Sequence, residues 1–397
     1  MRPRLLFLTL CGALLLAGWL ARPGQTLPSY ARREGFSCQA CHFRMPELNA
    51  DGYDYLRRGL RMELPPASET PKPGTPVAAV PHMLGEALPL NWADYLSVIG
   101  DSSVNFAHHA RTTFDAGGVD LWASGPIDRH VSVAADLSFD AENGGVSVAN
   151  AYAQYVTDAR PCFGSVRIGQ VQPFAILTNQ GGPSMALSQP LVLSLPSEAG
   201  STWTPTTPVR SLEVGAVQSA RWNAYLALAQ PQATPVTDTT GIPLSRHNDV
   251  YASAEYDFGT SGDSLTGYGY WGTNALDGDI DSHFYRVGAF ANVFLPSAKG
   301  VAGYVQGADR AADGSLLATN GLFAQAEYLP TERWGVYARY DYLLRDLVGG
   351  GSEHPQGPTL GVTWWAQTQL NLTAEAQFQN GSPDVGNALK LDAAWAF

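Results

Sequence analysis

Charge is scarce in this chain. Lys, Arg, Asp and Glu make up only 15% of 397 residues, with 24 basic against 36 acidic side chains. The formal charge of -12 argues against a nucleic-acid partner and favours attraction of cations. Cysteine is scarce too: Cys11, Cys38, Cys41 and Cys162 are the only four. Cys11 falls in the expected leader and two more sit in one short motif, so no disulfide framework remains. Beyond residue 21 no run is apolar enough to cross a membrane as a helix. What the chain does hold is 41 glycines and 11% aromatic residues, a composition suited to an outer-membrane β-barrel.

The first 26 residues read as a secretory leader. Arg2 and Arg4 precede an apolar core from Leu5 to about Ala21, with cleavage expected between 21 and 27. Cys11 lies inside that core rather than at its end, so no lipoprotein site is read.

Cys38-Gln39-Ala40-Cys41-His42 spells C-x-x-C-H, the attachment sequence for c-type haem. Two thiols on one helical turn meet the two vinyl groups at one edge of the macrocycle, and the His that follows becomes the proximal axial ligand. A zinc site would need two more Cys or His at similar spacing, and no second C-x-x-C or H-x-x-H pair exists. A thioredoxin-like pair would follow a strand in a βαβ unit, which this region does not resemble. The residues predict one covalent haem c held by Cys38, Cys41 and His42.

This segment, 27–63, predicts a short helix at Tyr30–Glu34 and a second from Pro46 to Met62, with Pro46 at the first helical position. It is too short to bury a core of its own, so it needs the haem or an enclosing partner to fold. For the distal iron ligand, Met45 is too close to His42 and on the wrong face. Met62 is the favoured candidate, with His82 and Met83 as later ones and apolar filling as the alternative role for each Met. Residues 64–91 carry Pro65, Pro66, Pro71, Pro73, Pro76 and Pro81 and read as an extended linker. It is long enough to leave the haem unit below a barrel or threaded inside it, and the sequence does not choose.

From 92 to 397 the period changes to two. In Gln369–Phe378, Leu370, Leu372, Ala374, Ala376 and Phe378 alternate with Asn371, Thr373, Glu375 and Gln377. Similar alternation runs through 130–140, 247–258 and 332–344. One apolar face means a sheet against lipid or against the core of a soluble sandwich. The connections decide. Sixteen such runs alternate short connections with longer ones, the longest from about Gln172 to Pro208, which is the habit of bacterial outer-membrane barrels. The chain also ends on Phe397 with apolar residues at every second place before it, as those barrels do. The expected fold is therefore mainly β: a transmembrane antiparallel barrel of about 16 strands with a small N-terminal α-helical haem domain. An even strand count puts both ends in the periplasm. Asp136, Asp249, Glu255, Asp257, Glu327, Asp341 and Glu375 should face the lumen, either drawing cations in or merely lining a wet interior. Asp277, Asp279 and Asp281, with His108 and His109, fall in expected outer loops.

A leader, one C-x-x-C-H, a Pro-rich linker and a porin-like barrel together resemble the outer-membrane fused monohaem cytochrome–porins, the ferrous-iron-oxidising type. The match is local over Pro28-Ser29-Tyr30-Ala31-Arg32, Pro46-Glu47-Leu48-Asn49, Gly52, Tyr55 and Gly59, and architectural over the barrel. Asp51 departs from it, standing where an aromatic residue is expected. The resemblance implies electron transfer across the outer membrane, from Fe(II) outside to a periplasmic electron carrier such as a soluble cytochrome. It also implies contact with outer-membrane lipid, and it carries over Cys38, Cys41 and His42 only. A solute porin with the haem unit as plug or redox gate is the alternative.

Overall fold

The protein is described here by a computed structural model. It describes residues 29–62 and 95–396, apart from 108–111, 116–117, 141–144, 158–161, 183, 197–202, 219–220, 232–247, 259–261, 277–279, 368 and 383–384. The leader, the linker, His82, Met83, His108, His109, Asp277, Asp279 and Phe397 lie outside the described residues.

Sixteen antiparallel strands close into one barrel. They are β1 Leu96–Ala107, β2 in two pieces (Thr113–Asp115 and Gly118–Pro126), β3 Val131–Asp140, β4 Val146–Val156, β5 Phe163–Val171, β6 Val209–Gln218, β7 Trp222–Pro231 and β8 Asp249–Asp257. The second half comprises β9 Ser264–Leu276, β10 Ile280–Leu295, β11 Ala298–Arg310, β12 Leu316–Thr331, β13 Trp334–Asp346, β14 in two pieces (Ser352–Glu353 and Gln356–Gln367), β15 Leu370–Gln377 and β16 Ala388–Ala396. Each strand pairs with its sequence neighbour, and β16 closes on β1 through Ala388↔Ala107 to Ala396↔Ile99. Closure leaves no edge strand, which removes the sandwich alternative. Each of the sixteen runs read from the sequence overlaps one of these strands. Asp281, expected in a loop, instead pairs with Ala275 inside the β9–β10 ladder.

The two faces are inverted relative to a soluble sheet. On β8, Asp249, Tyr251, Ser253 and Glu255 are buried, while Tyr256 is 61% exposed. On β7, Leu226 and Leu228 are 53% and 55% exposed, and on β13 Trp334, Val336 and Tyr340 point out while Tyr337, Arg339 and Asp341 are buried. An apolar belt on the outside of a closed barrel is stable only against lipid. Even-numbered strands lead into short turns, such as 296–297 between β10 and β11, whereas 172–208 joins β5 to β6 at the other end.

Two segments fill the lumen. Described residues of the 172–208 connection turn inward: Ile176, Leu191, Val192, Leu193 and Trp203 pack on Tyr251, Tyr270, Phe290, Phe323 and Leu343 of the wall. The wall over β8–β13 is therefore apolar on part of its inner face, which the expectation of an all-polar lumen missed. At the short-turn end sit α1 (Ser29–Glu34) and α2 (Ala50–Arg57) with a small ribbon pairing His42–Arg44 and Glu47–Leu48. Contacts to the β2–β3 turn (Arg61 Nη2 donating to Asp128 O at 2.5 Å and to Val131 O at 2.9 Å) and to the β8–β9 turn (Ala50 against Gly262) fix this unit inside the mouth.

α2 starts later than Pro46. Asn49 caps it, its Oδ1 accepting from Gly52 N at 2.9 Å, in line with the strong preference of Asn for that position. Glu47 is drawn instead into the ribbon and the barrel wall. Gly59 at φ +69° ends the helix, a left-handed position that glycine takes without strain.

The belt makes a direct prediction. Leu226→Arg, on the lipid face near the middle of β7, should cost about 2–4 kcal/mol of barrel stability. It should lower the urea midpoint for loss of the heat-modifiable gel band, while Leu226→Val should leave it near the parent value.

Candidate functional site

The C-x-x-C-H segment opens in a short 3-10 turn at Cys38–Ala40, closed by Cys41 N donating to Cys38 O at 3.2 Å. Asn49 ties it to α2: its backbone N donates to Cys41 O at 3.0 Å and its Nδ2 to Gln39 O at 3.3 Å. Gly52 lies so close that a Cβ would collide with Cys41 O, so the helix packs backbone to backbone on the turn. Gly35, Phe36 and Ser37, just ahead, are exposed at the mouth.

Cys38 is buried, Cys41 half-buried, and neither forms a disulfide. Burial pushes the Cys38 thiol up, and it pushes Cys41 up to about 11 with help from the charges of Asp51 and Glu34. Both are protonated thiols at neutral pH. Among the described residues no three His, Cys, Asp or Glu side chains converge as the ligands of one ion would.

His42 is arranged as an axial ligand needs to be. Its Nδ1 lies 3.0 Å from Pro46 O and 3.2 Å from Glu47 O. Carbonyl oxygens only accept, so Nδ1 carries the proton and Nε2 keeps its lone pair. Burial lowers the pKa of the ring, against the pull of those two carbonyls, so the imidazole is neutral. A metal-bound His commonly holds its second nitrogen in this way. Free paired thiols followed by a neutral His with a locked tautomer fit a c-type haem.

Met62, the candidate distal ligand, is placed differently. It packs beside Tyr55 and Leu60 against Ala134 of β3. The loop after His42 reaches other walls: Phe43 meets Phe294 of β10, and Met45 O accepts from Trp365 Nε1 of β14 at 2.9 Å. The neighbours of Met62 are apolar.

The plug is held by ion pairs that sequence reasoning did not foresee. Arg57 of α2 pairs with Glu255 of β8, and Lys299 of β11 pairs with Glu47, each pair almost fully buried. Gln180 of the inward loop lies 3.1 Å from Glu327 and 3.4 Å from Glu47, touching wall and plug at once. Lys299 is one of three lysines in the chain and stands at an inward strand position, which was the one available signal.

The seven lumen acids are thereby reassigned. All are on inner faces, but most are committed to partners rather than lining a wet wall. Glu255 takes Arg57, Asn223 and Thr266, and Glu375 accepts from the loop amides Leu187 N and Ser188 N at 2.9 and 3.2 Å. Asp341 takes Arg339 and Leu191 N, Asp249 takes Tyr270 and Thr273 N, and Glu327 takes Gln325 and Gln180. Asp136 is buried on β3, and Asp257 lines a cavity of about 90 Å³ between α2 and the wall.

No protein-family model and no curated protein matches the chain. Solved structures do. The chain is similar in fold to an anion-selective porin from Comamonas acidovorans, with a TM-score of 0.57 and 15% identity over 76% of this chain and 98% of that one. It is likewise similar to the outer membrane channel DcaP of Acinetobacter baumannii, with a TM-score of 0.55 and 14% identity over 76% and 96% of the chains. A third is OmpT of Vibrio cholerae, at 0.55 and 11% over 76% and 97%. The fold is that of the outer-membrane porins.

Removing one member of a buried pair leaves an uncompensated charge. Arg57→Met should loosen α2 by about 3–5 kcal/mol, read as faster hydrogen exchange across 49–62. The double variant Arg57→Met/Glu255→Leu should recover most of the protection.

Proposed function

We propose that this chain is an outer-membrane barrel that bears one covalent c-type haem on its lumen plug and carries single electrons across the membrane. Fe(II) outside is the donor and a periplasmic electron carrier the acceptor. The observation that carries this reading is His42, whose Nδ1 proton is held by Pro46 and Glu47 carbonyls so that Nε2 is presented as a ligand.

Bound haem supplies a reversible one-electron iron couple. The residues of the chain do the rest. Cys38 and Cys41 would hold the macrocycle through thioethers, and His42 would bind the iron from one side. Asn49 and Gly52 fix the turn on α2, and the Arg57–Glu255 and Lys299–Glu47 pairs fix the unit in the mouth. For each turnover one Fe(II) leaves as Fe(III), and one electron reaches the carrier, so the charge balances without a bound proton.

The inward loop bears on both readings. Arg339 donates to Ser188 and Gln189, and Arg345 to Pro196 O at 3.0 Å, so the inward loop is fastened across the lumen to β13. The solute-porin reading, with the plug as a redox gate, draws on the fold likeness to porins.

The test is to mix purified oxidised protein with Fe(II) without oxygen and follow the haem absorption bands. The expected result is rapid reduction, with covalent haem retained after denaturation and lost in Cys41→Ser. Reduction by dithionite but not by Fe(II) would remove iron as donor. Solute flux in liposomes that changes on reduction would favour the gated porin.

A further inference from the structure

The carbonyls that hold His42 are themselves held by the barrel. The Met45-Pro46-Glu47 loop is gripped at both ends by wall side chains. At one end Trp365 Nε1 of β14 donates to Met45 O at 2.9 Å. At the other, the ammonium of Lys299 on β11 pairs with the Glu47 carboxylate, both groups at 2% exposure or less. Phe294 of β10 meets Phe43 edge-on at 6.4 Å. Pro46 O and Glu47 O, between these grips, receive the Nδ1 proton of His42.

We infer that Lys299 is a positioning residue for the haem iron: acting through Glu47, and with Trp365, it sets the orientation and donor strength of His42. This rests on the haem reading above and adds to it that the barrel wall tunes the cofactor. Three facts support it. A partner that holds the second nitrogen of a metal-bound His fixes ring orientation and tunes basicity. A buried ion pair at the end of a three-residue loop gives that loop one position, because leaving Glu47 unpaired in the dry interior is costly. Phe294 and Lys299 stand opposite each other on the paired strands β10 and β11, and Trp365 comes from β14, three strands further on, so the folded barrel presents them together. The plug's own residues supply the ligand, and the wall decides how it is aimed.

The experiment uses full-length haem-loaded protein and compares Lys299→Met, Lys299→Arg, Trp365→Phe and Arg57→Met. The readouts are the midpoint potential from a redox titration and the spin-state absorption bands, with gel mobility and covalent haem content as controls. For Lys299→Met the expected effect is about a tenfold change in the ratio of reduced to oxidised protein at fixed ambient potential, or 59 mV for a one-electron couple. Lys299→Arg, which keeps the charge, should return potential and bands toward the parent. Trp365→Phe, which removes a single hydrogen bond, should shift the potential less. Arg57→Met loosens α2 without removing a partner of the Met45–Glu47 loop and should shift the potential less than Lys299→Met does.

A folded, haem-bearing Lys299→Met protein with the parental potential and spectrum would overturn the inference. So would an equal shift in Arg57→Met, which would make the effect one of general plug loosening. If Lys299→Met does not assemble, Trp365→Phe decides by the same measure, and a parental potential there overturns it. Absence of covalent haem in the parent protein is a different failure: it sinks the haem reading itself, and this inference with it.

Discussion

A charged group taken out of water must find a partner, and this barrel is organised around that rule. Its outer face is given to lipid, so the ionisable residues of β8, β11, β12, β13 and β15 turn inward. There they meet a filled lumen rather than an open one. Arg339 and Asp341 are buried on β13 and paired with each other, and Glu255 and Lys299 reach across to the plug. An isolated carboxylate or ammonium in such a place would cost several kcal/mol. The pairing therefore decides where the plug and the inward loop sit.

The two inserts depend on one another as well as on the wall. Gln180 of the loop contacts both Glu47 of the plug and Glu327 of β12. Tyr53 of α2 donates to Leu177 O at 3.5 Å, and Leu56 joins Phe174 in an apolar cluster with Val156 and Tyr225. Wall, loop and plug meet around a few buried polar groups, which removes slack from the His42 loop. The plug is too small to supply a core of its own, and the barrel provides the enclosure.

The strands were legible because a period of two is a local property: which of Leu372 and Thr373 faces lipid follows from their positions alone. The spacing of Cys38, Cys41 and His42 is likewise local, and on the proposed reading it is what attaches the haem. The start of α2 was misplaced because Pro46 and Asn49 both suit a helix start. What decides for Asn49 is the pull of Lys299, 252 residues away, on Glu47. Long-range pairing of this kind leaves no trace in periodicity. The apolar inner patch had a signal in β10, where Phe284 and Phe290 share a parity with Arg286 while Tyr285 and Val293 take the other. Apolar residues on both faces of a barrel strand imply something packed inside. Met62 follows the left-handed Gly59 and packs toward β3, a position that periodicity does not reveal.

A filled barrel also narrows what can cross it. Solutes need a continuous wet path, and along β13 and β15 the polar groups that would line one are bonded to the inward loop. Electrons need a fixed carrier instead. A different set of contacts, from Asn49, Trp365 and Lys299, holds the Cys38–His42 turn and the loop after it, with Gly35, Phe36 and Ser37 exposed beside them. On the proposed reading these are one requirement: a carrier that exchanges single electrons at the surface of the plug works best when the ligand loop does not move. An ion-paired grip in a dry interior provides that constancy more firmly than a solvated tether does.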